Sequence, residues 1–94
     1  MPAPLDQLFA ALADPTRRSV IERLARGPLS VGELAAAYDM SLPSFLRHLT
    51  VLETTGILRS IKKGRVRTCH IEAAPLIDAQ GWLAWQREVW EGGA

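Results

Sequence analysis

Three helix-start signals crowd the stretch from Asp14 to Ser41, and they commit the chain to short helices joined by tight turns. Asp14-Pro15 offers a side-chain acceptor followed by a proline at the first helical position, where the missing N–H costs nothing. Ser30-Val31-Gly32-Glu33 has the spacing in which a cap hydroxyl and a third-position carboxylate satisfy each other's orphan amides. Ser41 is another capping serine, with Pro43 in the first turn behind it. Stops match the starts, since Gly27-Pro28 and Gly56 each accept or impose a conformation that ends a helix.

Apolar residues fill these frames at helical spacing. Leu5, Leu8, Phe9 and Leu12 make one face of a first helix, and Val20, Ile21 and Leu24 line a second that ends near Arg26. A third helix starts at Ser30 with the stripe Val31, Leu34, Ala35 and Tyr38. A fourth runs from Leu42 to about Thr55 with Phe45, Leu49 and Leu52 inward. A turn of only about three residues between the third and fourth makes the pair a helix-turn-helix.

Past Gly56 the period changes. Ile57 to Lys63 and Val66 to Ile71 are β-branched or basic segments flanking Gly64-Arg65, the pattern of a β-hairpin with a basic tip. A last helix opens at Pro75 and runs to about Trp90, leaving Gly92-Gly93-Ala94 as a frayed end. The predicted fold is mainly α with a β-hairpin, in the order α-α-α-α-β-β-α of a winged helix-turn-helix. Ninety-four residues make this a single domain over 1–94.

The last helix predicts a partner. Leu76, Ala79, Leu83 and Trp90 lie on one line and Trp82, Trp85 and Val89 on another; with Ile77 and Ala84 they cover more of the circumference than one small core can bury. A helix apolar over so wide an arc needs a second partner, and dimerisation through it is expected.

Charge placement points to a second kind of partner. Residues 41–72 hold Arg47, Arg59, Lys62, Lys63, Arg65 and Arg67 against Glu53 and Glu72, an excess of four positive charges, whereas the rest of the chain is net negative. A basic middle in a slightly acidic body is the footprint of a face that meets a polyanion; a solvated hairpin is the bland alternative. The major groove of DNA admits one helix, read by its N-terminal residues. The outward residues of helix 42–55 are the candidate readers: Ser41, Leu42, Pro43, Ser44, Arg47 and Thr50, with His48 at the border. Arg47 is the best-equipped base or phosphate ligand. Lys62, Lys63, Arg65 and Arg67 would act on the flanking backbone or the minor groove of double-stranded DNA. Arg17 and Arg18 read as a solvated pair on the second helix.

Other classes recede. Nearly half the chain (48%) is apolar and 22% is charged, which excludes a disordered tail or fibrous repeat. No uncharged apolar run nears the roughly 18 residues of a membrane span, and Met1 to Asp6 lacks a secretion signal. A lone cysteine, Cys69, excludes an internal disulfide and fits a reducing cytoplasm. No nucleophile and base pair, paired carboxylate or Gly-rich phosphate loop is present, so no enzyme is expected. The competing reading is a winged-helix module that docks proteins through its tryptophan-rich last helix.

The strings Leu12-Ala13-Asp14-Pro15-Thr16-Arg17-Arg18, Leu29-Ser30-Val31-Gly32-Glu33-Leu34-Ala35 and Arg47-His48-Leu49-Thr50-Val51-Leu52 resemble the ArsR/SmtB family of bacterial winged-helix repressors. The resemblance implies a homodimer built from the first and last helices, with an interface combining Trp82, Trp85 or Val89 with Leu5 or Leu8, bound to an inverted-repeat operator until a signal releases it. That signal is not legible in the chain. Family members often read S-Q-P-A-V-S-[KR]-H-L where this chain has Ser41-Leu42-Pro43-Ser44-Phe45-Leu46-Arg47-His48-Leu49. Leu42 and Leu46 flank the core stripe, and either widen the internal packing face, the favoured reading, or touch thymine methyl groups.

The family's metal sites are a second departure. A C-x-C pair at the start of the third helix is replaced by Ser30 and Gly32, and a D-x-H pair by Asp78-Ala79-Gln80. No metal and no cofactor are expected. Cys69 and His70, adjacent on a strand, point to opposite faces and cannot easily share an ion. Cys69 reads as a packing residue.

Overall fold

A computed structural model describes residues 4–92, ordered as α1 (Leu5–Leu12), α2 (Pro15–Leu24), β1 (Leu29–Ser30), α3 (Val31–Ala35), α4 (Leu42–Thr54), β2 (Leu58–Lys63), β3 (Val66–Ile71) and α5 (Ala74–Glu91). Met1 to Ala3 and the terminal Gly93-Ala94 lie outside the described residues. None of the described helices is long and apolar enough to cross a membrane.

The helix starts form as their residues dictate. Asp14 accepts from the Arg17 backbone N–H at 3.0 Å, with Pro15 opening α2. Ser30 Oγ accepts from Glu33 N at 3.1 Å while Glu33 accepts from Ser30 N at 3.0 Å, the full reciprocal cap. Ser41 Oγ accepts from Ser44 N at 3.3 Å. After α4, Gly56 takes φ +81°, a left-handed conformation that lets the chain turn straight into β2.

Three details depart from the sequence reading. The hairpin gains a third strand: Leu29 and Ser30 pair antiparallel with Cys69 and Thr68, giving the sheet order β1-β3-β2 and the element order α-α-β-α-α-β-β-α. Two residues are too few to show a period-2 pattern, and their extended backbone is already required by the Ser30 cap (φ −71°, ψ 157°). Second, α3 stops at Ala35, so that Ala36 to Ser41, not three residues, join it to α4. Tighter i→i−3 bonds from Ala37 and Tyr38 replace the helical ladder. They deliver Tyr38 to a stacking contact with Phe45 (centroids 5.1 Å apart) and a 2.8 Å hydrogen bond with Ser19. Third, α2 ends at Leu24 instead of near Arg26, its last carbonyls taken by the turn amides of Ala25, Arg26 and Gly27.

The core joins every layer. Leu8 and Ala11 of α1, Val20 and Leu24 of α2, Leu34 of α3, the Phe45-Leu49-Leu52 stripe of α4, and Ile57, Leu58 and Cys69 beside or on the sheet are all buried. Leu8, expected at a dimer interface, is therefore corrected: at 1% exposure it is consumed by the chain's own core and presents nothing to a partner.

The cap at Asp14 supports a test. The Arg17 backbone N–H holds the Asp14 carboxyl below the ordinary aspartate range; burial opposes this, and the His48 and Arg17 charges assist. A carboxyl that titrates lower when folded stabilises the fold fully at neutral pH, and loses that contribution as the pH falls below the usual aspartate range. Asp14→Ala should destabilise the protein by about 1 kcal/mol in urea unfolding at neutral pH, and Asp14→Asn, which keeps an acceptor, by less.

Candidate nucleic-acid interface

The wing is a two-stranded ribbon with Lys62 opposite Arg67 and Lys63 opposite Val66, closed by Gly64-Arg65. Gly64 has φ +61°, and no other residue type has positive φ among the described residues, so the loop has Gly at the first central position as a type II′ turn requires. That turn throws Lys62, Lys63 and Arg65 outward, all exposed.

Between the wing, the start of α3 and the first turns of α4 lies a cleft of about 710 Å³. Lys62, Arg65 and Arg67 form its wing wall, with Leu42 and Leu46 on the α4 side. The structure thus brings the wing cations and the first turn of α4 to one surface. Leu42 is exposed there, Ser41, Pro43 and Arg47 are exposed at the same end of α4, and Ser44 is half-buried, its hydroxyl accepting from Ser41 Oγ at 2.9 Å.

Acidic residues sort the arginines. Glu53, near the end of α4, accepts from Arg67, which also donates to Ser60 Oγ at 2.8 Å, and Glu72 accepts from Arg59. Both acids of the basic segment are thereby committed, and Arg47, Lys62, Lys63 and Arg65 make no ion pair among the described residues. Arg67 is a braced residue, one cross-strand pair back from the turn. Nothing in one-dimensional spacing links Glu53 to Arg67, because the contact is made by the way the sheet folds back onto α4.

Other candidates sit elsewhere. Thr50 is exposed, but its hydroxyl donates to the Leu46 carbonyl (3.0 Å) and it borders a groove shared with Gln7 and Ala10 of α1, away from the wing. His48 faces α2: Arg17 Nη1 lies 3.0 Å from its Nδ1, and Asp14 Oδ2 lies 3.6 Å away. Arg17 is not the solvated residue expected. It also donates to the carbonyls of Ala11 (2.7 Å) and Ala10 (3.0 Å), and Arg18 to that of Leu12 (2.8 Å), so the pair caps the C-terminus of α1.

Leu42 also overturns the favoured packing reading. It is 54% exposed, whereas Leu46 packs partly against the core.

Among the described residues no three His, Cys, Asp or Glu side chains gather as metal ligands. Ser30 and Gly32 flank the start of α3, where their roles are capping and turn. Cys69 is buried at the centre of the sheet, and burial pushes its thiol above the ordinary value, with Arg67 opposing.

On α5 only Pro75 and Ala79 are buried, and Trp82 touches Phe9 edge-on at 5.6 Å between centroids. Ile77, Leu83, Trp85, Val89 and Trp90 stand in solvent, Trp85 at 64% and Trp90 at 78% exposure; Trp82 itself remains 43% exposed. Leu5 is half-buried.

A groove-sized helix, a cationic wing and the sheet order define a winged helix-turn-helix, and comparison with known proteins places it. A helix-turn-helix domain family matches residues 12–61. The crystal structure of an ArsR family transcriptional regulator superposes with a TM-score of 0.89 at 55% identity, covering 93% of this chain and 96% of that one. The HTH-type transcriptional regulator Rv2034 of Mycobacterium tuberculosis is 42% identical over 71 residues, 76% of this chain and 66% of its own length. The arsenical resistance operon repressor of Escherichia coli is 39% identical over 79 residues, 83% of this chain and 64% of that protein. A homodimeric winged helix-turn-helix DNA-binding domain from Mycobacterium bovis, 24% identical, shares the fold with a TM-score of 0.68. The chain belongs to the ArsR family of winged helix-turn-helix transcriptional regulators.

The burial of Cys69 generates a test. A thiol-specific chromogenic reagent at pH 8 should label the native protein at least about tenfold more slowly than the urea-unfolded chain, because the reactive thiolate is both scarce and shielded.

Proposed function

We propose that this protein is a transcriptional repressor that binds an inverted-repeat operator as a homodimer. In this reading α4 enters the major groove, while residues 62–67 lie on the flanking backbone or minor groove. The observation that carries it is the charge sorting: Glu53 and Glu72 are committed to Arg67 and Arg59, so the four unpaired cations stand on α4 and at the wing tip. Unpaired like charges on one surface repel one another unless a polyanion neutralises them. Arg47, exposed one turn into α4, has a planar fork suited to guanine O6 and N7 or to a phosphate.

Salt dependence is the direct test. Affinity for duplex DNA should fall steeply with salt, and replacing Lys62 and Lys63 by alanine should weaken binding to all sequences and reduce the log–log slope by up to about 2. An unchanged slope would remove the wing from the DNA.

The partner for α5 is a second copy of this chain. Trp82 adjoins α1 through its contact with Phe9, and in this reading Leu5, Trp82, Trp85 and Val89 meet their own copies across a two-fold axis. The homodimeric M. bovis domain supports the same assembly. Sedimentation at micromolar concentration should give a dimer. Trp85→Glu should weaken dimerisation by about thirtyfold or more, as for a buried aromatic anchor, while the helical circular dichroism of the monomer stays largely intact. A wild-type monomer at that concentration would reject the assignment.

A further inference from the structure

The first turn of α4 carries an exposed apolar side chain in a cleft whose lining sets Val31, Leu46 and Val66 beside Lys62 and Arg65. Leu42 is 54% exposed, flanked by the exposed Ser41 and Pro43, and faces the cleft whose opposite wall holds Lys62 and Arg65. Leu46, one turn on, packs partly against the core. The core stripe of α4 begins only at Phe45, so Leu42 has no partner of its own there.

A solvent-exposed leucine in a partly apolar cleft, across from the unpaired Lys62 and Arg65, suits a ligand with two properties, negative charge at its flank and an apolar group at its centre. Duplex DNA has both. Phosphates meet the wing cations, and of the groups that base edges present in the major groove, the thymine C5-methyl is the apolar one. The N-terminal residues of a groove-bound helix are those that reach base edges. Leucine offers no hydrogen bond, so at this position it can discriminate only through apolar contact.

Resting on the DNA-binding reading above, we propose that Leu42 is a specificity-determining residue that selects a thymine in each half-site by packing against its 5-methyl group. The cleft is the specificity surface, and a Leu42–methyl contact supplies a preference that the phosphate contacts cannot.

The experiment removes the methyl alone. Duplexes enriched by the protein from a random-sequence library are resynthesised with each thymine replaced in turn by deoxyuridine. They are then titrated at fixed salt with the wild-type protein, Leu42→Ala and Leu42→Ile. With the wild type, one replacement per half-site should weaken binding about three- to fivefold, the transfer value of one buried methyl group. That loss should vanish in Leu42→Ala and persist in Leu42→Ile. If no replacement costs the wild type affinity, or if the losses are equal in wild type and Leu42→Ala, the assignment is overturned while salt-dependent DNA binding stands. Absence of affinity for any duplex overturns both. The wild-type arm reads the methyl without altering the protein, so a folding defect in a variant cannot produce the result.

Discussion

Helix α4 must be dry along one side and bare along the other, and the Phe45-Leu49-Leu52 stripe enforces it. These three side chains are at most 1% exposed, and they meet residues from α1, α2, α3 and the sheet in one cluster. Burying three such groups contributes about 5–9 kcal/mol before entropy is counted, comparable to the whole net stability of a small domain. Rotating α4 by even one position would bring Thr50 and Glu53, or Ser44 and His48, inward and break that cluster. The orientation of Leu42, Pro43 and Arg47 toward solvent is therefore a consequence of the core and needs no separate device.

Polar contacts then fix what the core leaves loose. Arg17 joins three elements at once: its own helix, the C-terminal carbonyls of α1, and His48 on α4. A guanidinium has five donors in a rigid fork, so one residue can satisfy groups that three separate side chains would otherwise have to reach. On the opposite flank, Glu53 accepts from Arg67 and Ser60 and so ties the wing to the end of α4. These pairs are partly exposed, and their value lies in fixing the wing relative to the helix more than in stability.

The fold was largely legible because its punctuation is local. Asp14, Ser30 with Glu33, Ser41, Gly56 and Gly64 each act within three residues of their own position, and all of them form the caps or turns their types imply. What sequence reading missed is non-local or too short to carry a period. Strand β1 exists because Cys69 and Thr68 offer an open edge to two residues already extended by a cap. The end of α3 is set by Tyr38 reaching Phe45 and Ser19. Of the candidate site, the positions on α4 and at the wing tip followed from helical phase and the Gly64 turn. The commitment of Arg67, the inward role of Arg17 and the exposure of Leu42 depend on which elements pack together, and spacing along one helix contains no such information.

The same distinction explains α5. Its double apolar stripe is visible in the sequence, but how much of it the chain itself can cover is a property of the folded body, and the answer is little beyond Pro75 and Ala79. Eighteen residues form about five turns, and an isolated helix of that length is marginal in water without a packed face. From Trp82 onward, Phe9 supplies an aromatic contact and the remaining aromatic surface faces solvent. In the proposed dimer the second copy covers that surface, so ordering the distal half of α5 and pairing the two chains become one thermodynamic step. Because α1 packs against α5 and carries the carbonyls that Arg17 binds, the element that pairs the subunits lies one contact away from the residue that steadies α4.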